Sequence, residues 1–403
     1  MIKDLLIDDY GYDGEGVGRV DGKVYFIPYA IKGENVKVKV VKQNKSFCFG
    51  RLLQVNEISP KRQEPVCPYF GRCGGCSYQH MSYEDEIGIK TELFKRQLKK
   101  IGYLGEIEVV TSQNVYGYRN KIKLFVGEHK VGLKYRASDE ICDIDYCPIC
   151  EDKINNAIKP IKDFVEGNGL YNAIDNIVLR QEGNACLINF MLKDKKQINY
   201  QGLYLILGQD YGIYQTFQRE IKYIFGIKSL NTTEFGLDCS FSPTSFHQVN
   251  NQVCEKLYKK VLEEVKGEVI NCYSGNGVLS GIIALKNRVV GIEIGEAEHN
   301  EAQNLRDKNK LKNLVNIKGD CAKILPNLQG DTLIVDPPRV GLDSKVCSVI
   351  KSKKIKKFIY ISCNSATLVR DLQRISNFKI KKVYLFDMFP RTGEYECLVV
   401  LSK

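Results

Sequence analysis

Apolar and polar positions alternate through the start of the chain, and the period changes twice further on. Val36, Val38 and Val40 interleave with Lys37, Lys39 and Lys42, which is the pattern of a strand with one wet face. With the GYDGEGVGR turn and the runs KVYFIPY and FCFGRLLQV, this predicts a small OB-like β-barrel over residues 1–58. A break at Ser59-Pro60 ends it. Residues 82–100 then carry a helical pattern ending near Gly102, while YRNKIKLFV, HKVGLKYR, NIVLRQ and ACLINFML read as strands. Residues 59–240 are therefore expected to form a mixed α/β domain with a cysteine-rich edge.

From about residue 241 strand and helix alternate. A helix over 249–264 leads to strand EVINCY, the SGNG loop, helix VLSGIIAL, strand RVVGIEI and a helix over 296–309. Strands LVNIKGD, DTLIVD and KKFIYIS follow, with VYLFDMF and CLVVLS expected as an antiparallel edge. That spacing predicts a mostly parallel, doubly wound α/β sheet, a Rossmann-like domain over residues 241–403.

The strand ends carry the candidate chemistry. Gly275 and Gly277 allow close backbone approach where a buried strand turns into a helix, but Ser280 breaks the dinucleotide G-x-G-x-x-G fingerprint. Glu293, Asp320 and Asp336 each follow an apolar strand and converge on a carboxyl-end crevice. No phosphate-binding lysine motif accompanies them, so the pattern favours a methyltransferase using S-adenosylmethionine over an ATPase. Cys363 ends the strand KKFIYIS. A thiolate there has a specific use: addition at C6 of uracil makes C5 nucleophilic, and a carboxylate can later remove the C5 proton. Glu394 and Glu396 share one strand face, so alternation alone does not choose between them.

Composition narrows the setting. Fifteen cysteines among 403 residues, without an export signal or an apolar run of membrane length, are expected to be reduced, metal-bound or catalytic in a cytoplasmic protein. Four histidines leave acid–base work to carboxylates and thiols. The net charge of +11 suits a phosphate-backbone partner without identifying it. On spacing alone, Cys73, Cys76, Cys147 and Cys150 make a tetrahedral zinc set.

SCNSATLVRD, DPPRVGL, CYSGNG and MFPRTGEYE together resemble the RNA (uracil-5-)-methyltransferase family, over nearly the whole chain. The resemblance implies Cys363 as nucleophile, Glu396 as proton-abstracting base and Asp336 lining the active site beside the cofactor. It further implies cofactor contacts from Gln248, in SFHQVN, and from Tyr273, Glu293 and Asp320. Arg370 and Asp371 are given a supporting place. Two departures stand out: Ser365 where the family has Pro, expected to loosen the nucleophile loop, and Glu394 where it has His.

CPYFGRCGGCSYQH with Cys147-Pro148 looks like the family's [4Fe-4S] site, implying Cys67, Cys73, Cys76 and Cys147 as ligands in place of the zinc set. The C-x5-C-x2-C spacing differs from that of radical S-adenosylmethionine enzymes, so the cluster is read as structural or as organising the RNA surface. The barrel resembles a TRAM domain, and Arg119 and Lys121 match a segment associated with substrate contact. The combination implies C5 methylation of uridine in 23S rRNA, with no membrane and no obligate protein partner indicated. The alternatives are transfer RNA uracil methylation and a noncatalytic RNA-binding or assembly protein.

Overall fold

The computed structural model describes all 403 residues. Strands Ile2–Tyr10, Gly16–Val20, Lys23–Ile27, Asn35–Gln43 and Phe47–Glu57 close into a barrel. The expected alternation is met: Val36 and Val38 are fully buried among Leu5, Ile7, Tyr25 and Ile27, while Lys39 and Lys42 are exposed.

A seven-stranded sheet follows, in the spatial order Glu220–Gly226, Tyr211–Phe217, Ala185–Leu192, Ile174–Glu182, Lys121–Gly127, Lys130–Lys134 and Ile141–Asp143. Helix Asp152–Gly167 packs Ile154, Ile158, Ile161 and Val165 against it, a spacing that lays one apolar stripe on the sheet.

The C-terminal sheet has eight strands. Leu314–Lys318, Val289–Glu293, Val269–Cys272, Thr332–Val335 and Lys357–Ser362 run parallel; Glu396–Ser402 then pairs antiparallel with Lys357–Ser362 and with Lys379–Phe386. Successive residues alternate between two cores: Val269, Ile334 and Ile359 face one, and Ile270, Leu333 and Phe358 the other. One part of this layer comes from early in the chain. Strand Glu108–Val110 adds parallel to Lys379–Phe386 as the sheet edge, and helix Tyr83–Lys99 sends Phe94 and Leu98 into the same core. The helix begins at Ser82, whose side chain accepts from the Asp85 N–H. No helix is long and apolar enough to cross a membrane.

Candidate active site and thiol cavity

Sheet register brings two of the expected residues together. Ser362 pairs with Cys397 in the antiparallel ladder, so the next step along it sets Cys363 opposite Glu396. Asp336 closes the group from the end of strand Thr332–Val335. Glu396 is buried, and its Oε2 has no hydrogen-bond partner. Burial, with Asp336 and Glu394 close by, pushes its carboxyl well above the usual range. Burial likewise raises Asp336 to about 7. Cys363 rises to about 12, first through burial and then through Glu396, with Arg339 opposing. Two carboxyls and a thiol thus crowd one desolvated corner, where each makes ionisation of the others harder.

Arg339 is the cation facing this corner. Its guanidinium pairs with Glu394 and also faces the Cys363 thiol. Its carbonyl accepts from Thr367 Oγ1 at 3.2 Å, tying the DPPR loop to the helix after Cys363. That helix, Ser365–Arg374, starts at Asn364, whose side chain accepts from the Ala366 and Thr367 N–H groups. Ser365 does the reverse of loosening the loop. Its hydroxyl lies 2.9 Å from the Tyr395 hydroxyl, linking the nucleophile loop to the residue before Glu396. Arg370 and Asp371 brace from below: buried Asp371 accepts from the Leu342 N–H at 2.6 Å and the Tyr360 hydroxyl at 2.9 Å, and Arg370 donates to the Val340 carbonyl.

A crevice opens at the carboxyl ends of the parallel strands. Glu293 accepts from the Gly275 N–H at 2.9 Å through one oxygen and from the Gly295 N–H at 2.7 Å through the other. Gly275 has φ +54°, and a side chain there would meet nothing within 4 Å, which leaves its backbone open to a ligand. Gly277, φ +81°, is required for a different reason: an added Cβ would come 2.7 Å from the Ala302 Cβ. Tyr273 holds φ +60° at the strand end, an uncommon conformation for a non-glycine residue. Asp320 caps the short helix Cys321–Ile324. Gln248 is buried in a loop that Asn276 fastens to the glycine turn by donating to the Phe246 carbonyl at 2.8 Å. An acidic strand end, an open glycine backbone and a ring of polar groups fit an adenosine-bearing cofactor.

The cysteines gather elsewhere. Cys67, Cys73, Cys76 and Cys147 line one cavity of about 160 Å³, which Cys142 and Cys150 do not line. The cavity stops short of a ready-made chelate, since no three His, Cys, Asp or Glu side chains stand arranged to hold a metal ion. Arg119 lines the same cavity, and its Nε donates to the Lys121 carbonyl. Lys121 is half-buried and reaches toward the Ser245 carbonyl at 3.4 Å; burial and Arg180 lower it to about 8. Arg119 and Lys121 therefore do not form the exposed basic face expected of a phosphate-contact pair. Arg180, unmarked in the sequence, is buried and donates to the same Ser245 carbonyl at 2.6 Å, with its guanidinium 4.8 Å from the Phe241 ring centre. Its only sequence signal is a cation within an apolar strand.

Fold and crevice define a methyltransferase that uses S-adenosylmethionine. Residues 220–403 match the tRNA (uracil-5-)-methyltransferase family, and residues 2–53 match the TRAM domain. An RNA methyltransferase of Listeria monocytogenes, described as uncharacterized, is 30% identical across 99% of this chain and 97% of its own length. Another so described, from Clostridium acetobutylicum, is 32% identical across 99% of this chain and 96% of its own. The tRNA (uracil-54, C5)-methyltransferase of Pyrococcus abyssi, solved with S-adenosyl-L-homocysteine, superposes with a TM-score of 0.84 at 25% identity, covering 99% of this chain and 100% of that one. The chain belongs to the S-adenosylmethionine-dependent RNA (uracil-5-)-methyltransferase family.

Proposed function

We propose that the chain methylates C5 of a uridine in 23S rRNA through a covalent intermediate, with Cys363 as nucleophile and Glu396 as base. The observation that carries this is their placement: side by side just past the last ladder pair, Ser362 with Cys397, with Glu396 buried and one oxygen unpartnered. The Cys363 thiolate forms a bond to C6 of the uracil, and the electron pair shifted toward C5 takes the methyl group. Glu396 then removes the C5 proton, and those electrons break the C6–S bond, releasing methylated RNA and free Cys363.

S-adenosylmethionine supplies a methyl group on a positively charged sulfur, and a positive charge beside buried carboxyls favours their ionised form. Gln248, Tyr273, Glu293, Asp320 and Asp336 would hold it. Arg339 compensates thiolate charge at Cys363. Arg119 and Lys121 remain assigned to the RNA side, where they would shape the surface from beneath more than touch phosphate.

Cys67, Cys73, Cys76 and Cys147 would hold a [4Fe-4S] cluster once drawn together, since four thiols on one small cavity fit that group. Iron and acid-labile sulfide in equal amounts after anaerobic isolation would support it; zinc without sulfide would replace it.

A second substrate, transfer RNA, is favoured by the likeness to the Pyrococcus abyssi enzyme over the full chain. Labelled S-adenosylmethionine offered with unmodified 23S rRNA and transfer RNA separately decides. Label in 23S rRNA supports the first reading, and label confined to transfer RNA replaces it.

A further inference from the structure

The long connection between strands Lys379–Phe386 and Glu396–Ser402 leads directly into the base, the first residue of the second strand, and its backbone is held from outside at consecutive residues. Lys90, fully buried on helix Tyr83–Lys99, donates to the Phe389 carbonyl at 3.2 Å. The Tyr118 hydroxyl donates to the Pro390 carbonyl at 2.9 Å. The Arg391 carbonyl accepts from the N–H groups of Ser77 and Tyr78, directly after Cys76, and the Arg391 N–H donates to Glu86 at 2.7 Å.

A buried ion network locks these contacts together. Lys90 bonds Glu86 at 2.8 Å and Asp387 at 2.6 Å, so with Phe389 all three of its N–H groups are used. Tyr83 donates to the other oxygen of Asp387. Arg391 itself sits at φ +69°, a conformation that surrounding contacts must impose on a non-glycine residue. Charges of both signs buried this deeply gain little net stability over apolar packing, and they fix one geometry.

We infer that Lys90 and Tyr118 are positioning residues for proton abstraction: they set the loop from Asp387 to Gly393 and thereby the place of Glu396 opposite Cys363. The inference rests on the covalent reading above. It bears on the second half of the reaction, because Cys363 follows strand Lys357–Ser362, whose Tyr360 is held by Asp371, and its loop meets the base segment at the Ser365–Tyr395 contact and the Arg339–Glu394 pair, outside this network. Loss of loop positioning should leave C6 addition intact and slow release, so the methylated RNA–protein adduct should outlast that of the wild type.

Single-turnover reactions of the full-length protein with excess S-adenosylmethionine and unmodified 23S or transfer RNA transcript, stopped in denaturant, follow adduct formation and decay. Glu396→Gln is the reference, and its adduct should persist. In Lys90→Met, decay should slow about tenfold while formation stays within about twofold of wild type, as a small displacement of a reacting group implies. Tyr118→Phe removes one hydroxyl from the same loop and should slow decay by a smaller factor; it carries the test if Lys90→Met does not fold. Wild-type decay rates in the folded variants, or formation and decay falling together, overturn the inference. A Glu396→Gln adduct that fails to persist overturns the reaction reading itself and the inference with it.

Discussion

Replacing Asp336 by Asn should stabilise the protein above neutral pH while abolishing methyl transfer. Burial raises the Asp336 carboxyl from its ordinary 3.8 to about 7, so the folded chain holds this proton more tightly than the unfolded one. The favourable contribution is complete below 3.8, shrinks as the pH climbs and is gone above about 7, where the folded protein carries a half-buried, poorly hydrated carboxylate. At about 1.36 kcal/mol per pKa unit, the rise corresponds to about 4 kcal/mol, and roughly 2–4 kcal/mol once partial hydration is allowed for. Asn removes that cost and also relieves Glu396, whose carboxyl Asp336 helps to push up. Urea unfolding of both proteins between pH 4 and 8.5 measures the effect. The two should be nearly equal at pH 4, with the variant ahead by an amount that grows through pH 7. A gap that does not widen with pH, or a variant less stable at pH 8, would refute the desolvated-carboxylate reasoning.

Glu293→Ala removes the acceptor for the Gly275 and Gly295 N–H groups and the candidate ribose contact, so calorimetry should show S-adenosylhomocysteine binding weakened about tenfold or more, near 1.4 kcal/mol. Gly277→Ala places a Cβ against Ala302 at φ +81° and should lower stability by about 1–3 kcal/mol, read by denaturant unfolding. Lys39→Ala with Lys42→Ala should leave stability nearly unchanged, because both side chains are exposed. The slope of log affinity for RNA against log salt should fall by about 1–2 if the barrel meets phosphate, and an unchanged slope would remove these lysines from the interface.

The fold was legible wherever period and turn chemistry agreed. Val36 and Val38 announced the barrel, and the alternation of strand EVINCY, the glycine turn and helix VLSGIIAL announced the doubly wound sheet. Strand Glu108–Val110 was not legible: three residues carry no usable period, and their partner strand lies near the other end of the chain. Helix Tyr83–Lys99 was found, but its place in the C-terminal core depends on Phe94 and Leu98 meeting residues far away in sequence.

The site divides similarly. Cys363 and Glu396 could be named from motifs, yet their opposition depends on ladder register, which local sequence does not specify. Arg119 and Lys121 were marked for substrate contact by the segment they match, whereas the fold turns Arg119 toward the thiol cavity and Lys121 toward Ser245. The Arg339–Glu394 pair and the Ser365–Tyr395 contact join segments brought together only by folding.

The central claim is that Cys363 bonds to the uracil ring, and RNA carrying 5-fluorouridine tests it directly because fluorine at C5 cannot leave as a proton. With S-adenosylmethionine present, the wild-type protein should form a stable adduct that peptide mass spectrometry maps to Cys363, and Cys363→Ala should form none. An adduct mapped to another residue, or methyl transfer to ordinary RNA retained by Cys363→Ala, would contradict the account.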